Sequence, residues 1–80
     1  MIRHQAEGEV RAILQTVLGR EIRPGENVSR QTETTWDSLR HIEILLAIEG
    51  ACGVRFDEEE MGLLDSLDKL AASVEHHRAT

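Results

Sequence analysis

An all-α fold is what this sequence predicts, and three observations carry that reading. Apolar residues recur at helical spacing in separate stretches of the chain. Aliphatic side chains dominate, and Trp36 and Phe56 are the only Trp, Tyr or Phe residues. Clusters of β-branched and aromatic residues, which favour packed strands, are scarce. At 80 residues the chain makes a single domain over 1–80. A domain of this size buries a little over ~60% of the surface it would expose unfolded, enough for a modest core without disulfides or metal.

The first helix is expected over 4–18, where Ala6, Val10, Ile13, Leu14 and Val17 fall at helical spacing and Gly19 follows as a stop. A long polar connection runs from Gly19 to Trp36, turned by Pro24-Gly25. Loops of this length are uncommon in compact domains and are often functional. Ile22 and Val28 are its expected anchors to the core.

A second helix is expected over 38–49, stopped by Gly50 and Gly53, with Asp37 as a good N-cap. Seven of the ten residues from Leu39 to Ile48 are apolar, the composition of a central, buried helix. Asp57 with Glu60 makes a weak capping box that opens a short third helix near Glu58–Gly62. Met61 and Leu63-Leu64 are expected to supply its apolar contacts. The fourth helix is expected to begin at Asp65-Ser66 and run to about His76, burying Leu67, Leu70, Ala71 and Val74.

Charge narrows the function classes. The formal net charge is -6, and it is unevenly spread. Residues 1–30 hold five Arg and four Glu, while residues 31–80 hold four Lys/Arg and eleven Asp/Glu, which together give that total. An acidic second half argues against nucleic acid and anionic membrane and suits basic protein patches; a solvated, solubilising surface explains it equally well. Cys52 is the only cysteine, so there is no disulfide framework and no paired zinc motif. No apolar leader and no stretch of membrane-spanning length is present. The expectation is a cytoplasmic, monomeric chain, and a start at Met1 without a linker fits a free-standing one.

The most informative segment is Trp36-Asp37-Ser38-Leu39. With Asp37 as N-cap, Ser38 falls in the first turn, where unpaired backbone N–H groups and the positive end of the helix dipole gather. Such an end stabilises a phosphate, so a hydroxyl there is a candidate for a phosphoester.

Asp37-Ser38-Leu39, with Glu43 four residues after Leu39 and the run Ile44-Leu45-Leu46-Ala47-Ile48-Glu49, resembles the acyl carrier proteins. The likeness continues through Val54-Arg55-Phe56-Asp57-Glu58-Glu59-Glu60, and through Ser66-Leu67 and Leu70-Ala71. It covers nearly the whole chain and is strongest over 36–72. The resemblance implies a four-helix acyl-carrier-like bundle with a long loop between helices 1 and 2 and a short third helix. It implies that Ser38 receives 4′-phosphopantetheine from coenzyme A through a phosphopantetheinyl transferase, and that the arm holds acyl groups as thioesters. No catalytic residue and no metal ligand is implied, because partner enzymes perform each reaction. Those partners would be an acyl-loading ligase or acyltransferase and a ketosynthase or other acyl-processing enzymes. The implied docking residues are Asp37, Leu39, Ile42, Glu43 and Leu46, with Phe56 and Met61 near the acyl path. Core packing is the competing reading for Ile42 and Leu46, and a solvated helix charge for Glu43.

Departures from the fatty-acid carriers bear on the pathway. Trp36 stands where a small or aliphatic residue is usual, Arg40-His41 where an acidic and a small polar residue are common, and Gly50 replaces a frequent acidic residue. The Gly-Gly pair that precedes the serine in many peptidyl carriers is also absent. Trp-Asp-Ser-Leu looks more like discrete carriers of polyketide or related specialised metabolism; a primary fatty-acid carrier and a carrier of short hydroxy-acyl or aminoacyl units are the alternatives. Trp36 itself is either part of a partner surface or a plug under the long loop.

The same residues admit other readings. Asp65-Ser66-Leu67 repeats the letters, but only a short apolar link precedes it, so Ser66 reads as an ordinary cap or first-turn residue. Asp37, Ser38 and His41 lie too close on one helix to form a hydrolytic relay, and no Gly-x-Ser-x-Gly elbow is present. The run Asp57–Glu60 lacks a calcium loop's spacing. Adjacent His76 and His77 diverge on a helix, and Cys52 reads as a core residue near Phe56. Outside the carrier class, the alternative is an acidic helical adaptor that binds a partner through its second helix and leaves Ser38 unmodified.

Overall fold

The computed structural model describes the backbone of residues 2–79 and the side chains of residues 5–79. Four helices follow in order: α1 (Ile2–Leu18), α2 (Ser38–Cys52), α3 (Glu58–Met61) and α4 (Leu67–Ala79). The fold is all-α, and α1 packs against both α2 and α4. None of the helices is long and apolar enough to cross a membrane among the described residues.

Each helix ends where its backbone chemistry dictates. Gly19 closes α1 with a positive φ, and its N–H donates to the Gln15 carbonyl at 2.9 Å. Gly53, at φ 69°, closes α2 in the same way on Glu49. The left-handed conformation at both sites favours glycine, which has no Cβ to clash. Gly50, expected to stop α2, lies inside it. One glycine costs a helix interior only about 1 kcal/mol relative to alanine, which tertiary packing readily offsets.

The fourth helix begins one residue later than expected and runs three further, to Ala79. Ser66 is its N-cap: the hydroxyl oxygen accepts from Lys69 N–H at 3.2 Å, and the Ser66 carbonyl accepts from Leu70 N–H at 3.0 Å. The capping box of α3 forms as expected, with Glu60 Oε2 accepting from Asp57 N–H at 2.8 Å. That bond, with help from His77 and Ser73, holds the Glu60 carboxyl below its ordinary value of 4.5.

The core joins Ala6, Val10 and Leu14 of α1, Ile44, Leu45 and Ile48 of α2, and Leu67, Leu70, Ala71 and Val74 of α4. Ile13, Val17 and Met61 pack against it from partly exposed positions. Ile22 and Val28 are both buried, as anchors of the long loop must be. Leu64 joins the core, whereas Leu63 beside it points out to solvent, against expectation.

The long loop is pinned rather than slack. Arg20 pairs with Glu33 at 2.9 Å and Glu26 at 2.6 Å, closing its two sides. Residues 27–30 then run across the start of α4. Asn27 Oδ1 accepts from Asp68 N–H at 2.9 Å, and the Val28 carbonyl accepts from Leu67 N–H at 2.9 Å. Ser29 makes an antiparallel bridge with Ser66, and Arg30 N–H donates to the Asp65 carbonyl at 2.8 Å. Backbone groups that would otherwise be orphaned at a helix start are thus paired with the loop.

Candidate functional site

The site is built on the first turn of α2. Asp37 has an extended backbone, and its side chain accepts from Arg40 N–H at 2.9 Å. The Asp37 carbonyl accepts from His41 N–H at 2.9 Å. Two first-turn donors are therefore satisfied by the cap, while the N–H groups of Ser38 and Leu39 have no acceptor among the described residues. Ser38 is exposed. Its Oγ accepts one hydrogen bond, from Arg30 Nη2 at 3.0 Å. An exposed hydroxyl beside unpaired N–H groups and a guanidinium is a site where negative charge is stabilised.

Below the serine, α2 presents an apolar stripe to solvent. Leu39, Ile42 and Leu46 are 60%, 55% and 61% exposed, and their i, i+3, i+7 spacing puts them on one face. The expectation of a central, buried helix holds for one side of α2 only. Ile44, Leu45, Ile48 and Cys52 face the core, and the opposite side of an almost wholly apolar helix is left open. Core packing is thereby excluded for Ile42 and Leu46. Glu43 is exposed beside the stripe and makes a 3.4 Å ion pair with Arg40, one turn before it.

Phe56 and Met61, which the resemblance sets near the acyl path, are not part of the exposed stripe. Phe56 is in the core, with its ring edge-on to His77 at 5.8 Å between centroids. Its amide donates to Glu49 Oε2 at 2.9 Å, which ties the segment before α3 to the end of α2 and turns the ring inward. Met61 is partly buried against the core, and its carbonyl accepts from the His41 ring.

His41, named with Arg40 among the departures from the fatty-acid carriers, is buried, at 7% exposure. It lies three and four residues before Ile44 and Leu45, on the core side. Trp36 is buried too, at 2% exposure, so it plugs the loop and is not a partner surface. Its Nε1–H donates to His41 Nδ1 at 3.1 Å. Indole nitrogen can only donate. Nδ1 is therefore the acceptor, the ring proton sits on Nε2, and that nitrogen donates to the Met61 carbonyl at 2.7 Å. One imidazole joins the end of the long loop, α2 and α3, three residues after Ser38.

The remaining polar candidates are structural. Cys52 is buried and donates to Glu9 Oε1 at 3.2 Å. Burial, and then the Glu9 carboxylate, push its thiol up to about 11, the opposite of what a nucleophile needs. Arg78 holds Glu9 at 2.6 Å, and its hydrogen bond is the main reason the Glu9 carboxyl lies below its ordinary value. Asp65 is lowered chiefly by Lys69, 3.0 Å away. His77 is tied to Glu60 at 2.8 Å, and its ring meets that of His76 edge-on.

Arg30 carries no signal in the sequence. It lies eight residues before Ser38 in an irregular loop, and only the path of that loop over α4 turns its side chain toward the serine. No protein-family model matches the chain, and no curated protein matches it. The geometry around Ser38 and the open face of α2 is therefore what a functional reading has to explain.

Proposed function

We propose that this chain is an acyl carrier, with Ser38 the attachment point of 4′-phosphopantetheine and no catalysis of its own. The observation that carries the reading is the exposed Ser38 hydroxyl at the first turn of a helix whose solvent face is apolar. The residues present suit the group. Nothing covers Oγ, the Ser38 and Leu39 N–H groups are open to an anion, and Arg30 is already within hydrogen-bond distance. In attachment, Ser38 Oγ bonds to the pantetheine phosphorus of coenzyme A, and the bond to adenosine 3′,5′-bisphosphate breaks. The serine proton passes to a base on the transferase. When bound, the arm supplies a thiol that holds acyl groups as activated thioesters. The order of helices, the long pinned loop and the short α3 fit an acyl-carrier-like bundle.

Leu39, Ile42 and Leu46 would meet the partners: the phosphopantetheinyl transferase, an acyl-loading ligase or acyltransferase, and a ketosynthase or other processing enzyme. Asp37 and Glu43 flank them, Met61 borders the same end of the molecule through its bond to His41, and Phe56 acts from within the core. We place the chain in polyketide or related specialised metabolism. The paired Arg40 and Glu43 leave this face less acidic than in fatty-acid carriers, which remain the alternative setting with carriers of short hydroxy-acyl or aminoacyl units.

The exposed stripe also suits a second reading, an acidic helical adaptor that docks through α2 and needs no modification. Intact-protein mass after incubation with coenzyme A, Mg²⁺ and a broad-specificity transferase separates the two. A carrier gains one phosphopantetheinyl group, located by peptide mapping to Ser38. An unchanged mass, with a known carrier modified in parallel, would remove the carrier reading in favour of the adaptor.

The docking face has its own expected outcome. Leu39→Ala should slow modification by about tenfold, the usual effect of truncating one apolar contact worth about 1–2 kcal/mol. Glu43→Lys should slow it too, and should weaken its salt dependence. Neither side chain is buried, so unfolding free energies from urea titration should stay within about 0.5 kcal/mol of the parent. A collapsed fold by circular dichroism would show that these positions serve stability instead.

A further inference from the structure

We infer that Arg30 is the residue that positions the phosphodiester on Ser38, and that the long loop is built to hold it there. The inference rests on the reading of Ser38 as the attachment site.

Arg11, Arg20, Arg40 and Arg78 each pair with a carboxylate. Arg30, like Arg23 and Arg55, forms no ion pair among the described residues, and its guanidinium makes one polar contact, the 3.0 Å hydrogen bond to Ser38 Oγ. What sets Arg30 apart from those two is that its guanidinium is held against the Ser38 hydroxyl. Its purpose becomes clear once Oγ is esterified. The non-bridging oxygens are attached to the same phosphorus as Oγ, so they come within reach of the remaining guanidinium donors. Arginine is the side chain best suited to such an oxyanion, because its planar fork donates two parallel bonds. Asp37, next in the chain, would repel the new negative charge, and Arg30 offsets that repulsion.

The backbone of Arg30 is fixed for this task. Its N–H donates to the Asp65 carbonyl, and its neighbours Asn27, Val28 and Ser29 are bound to Asp68, Leu67 and Ser66 at the start of α4. The side chain thus spans from α4 to α2. Pairing with the phosphodiester would draw these two elements together through the loop.

The test compares holo-protein from the parent, Arg30→Gln and Arg30→Lys, with mass spectrometry confirming modification of each. Two readouts do not depend on any acyl-transfer activity: the ³¹P resonance of the phosphodiester, and amide exchange over 27–35. In the parent, modification should slow exchange in this segment by about two- to fivefold, the effect of one partly exposed ion pair. Arg30→Gln should lose that protection and shift the ³¹P resonance, and Arg30→Lys should restore part of both. The backbone bond to Asp65 survives either change, so apo variants should keep the parent's circular dichroism. Equal ³¹P shifts and equal protection in the parent and Arg30→Gln would overturn the role of Arg30 while leaving Ser38 as the attachment site. An unmodified parent would overturn both.

Discussion

Ser38→Ala should abolish the mass gain completely, and Ser66→Ala should leave it intact. The two serines share the letters Asp-Ser-Leu, and their difference is one of helix register. At Asp37-Ser38 the aspartate is the cap and the serine is the first helical residue. At Asp65-Ser66 the serine is itself the cap, and α4 begins at Leu67. A capping hydroxyl is committed to a backbone donor, here Lys69 N–H, and Ser66 is buried at 7% exposure beneath the bridge to Ser29. Ser38 Oγ is exposed and makes no bond to its own helix. Stability should divide the opposite way. Loss of a serine cap costs about 0.5–2 kcal/mol, which in a domain of this size lowers Tm by several degrees. Ser38→Ala should stay within about 0.5 kcal/mol of the parent. Modification that survives Ser38→Ala and disappears in Ser66→Ala would reverse the assignment.

Apolar periodicity made α1 and α4 legible in the sequence, and the capping box alone marked α3. Gly19 and the Asp57/Glu60 capping box both act as read. The position of Ser38 at the head of α2 was legible for the same reason, since Asp37 is a strong cap. What periodicity could not supply is the covered side of α2. A helix with apolar residues nearly all round has no polar face to mark its solvent side, and Leu39, Ile42 and Leu46 look no different from Ile44, Leu45 and Ile48. Only packing against α1 separates them. Contacts between distant positions were equally hidden. Arg30 with Ser38, Asn27 with Asp68 and Glu9 with Arg78 depend on how the loop and the helix ends meet in space. The burial of His41 was hidden too, because a polar residue gives no apolar signal, although it heads the buried row that continues with Ile44, Leu45 and Ile48.

Trp36→Ala should cost about 3–5 kcal/mol, the range for removing a buried large aromatic. The chain's total stability is expected near the low end of about 5–15 kcal/mol, so this variant should keep only about 0–2 kcal/mol and unfold at very low urea. Trp36→Phe is the sharper test. It keeps most of the apolar volume but removes the Nε1–H donor, leaving His41 Nδ1 as a buried acceptor with no partner, at a cost of about 1–3 kcal/mol. In urea unfolding the midpoint should fall with an unchanged slope. Combining it with His41→Ala should cost less than the sum of the two single changes, by about 0.5–3 kcal/mol, because both break one hydrogen bond. Strict additivity would mean that the 3.1 Å contact contributes nothing to the fold. The same variants decide what the tryptophan is for. A buried plug predicts that folded Trp36→Phe is modified at close to the parent rate, because no part of the ring reaches a partner. A slow rate in Trp36→Phe under conditions where circular dichroism shows it fully folded would instead mean that partners sense Trp36 directly. Since Trp36 ends the long loop two residues before Ser38, and His41 passes its hold on to Met61, the indole fixes where α2 begins. The exposed serine is held in place by a buried contact.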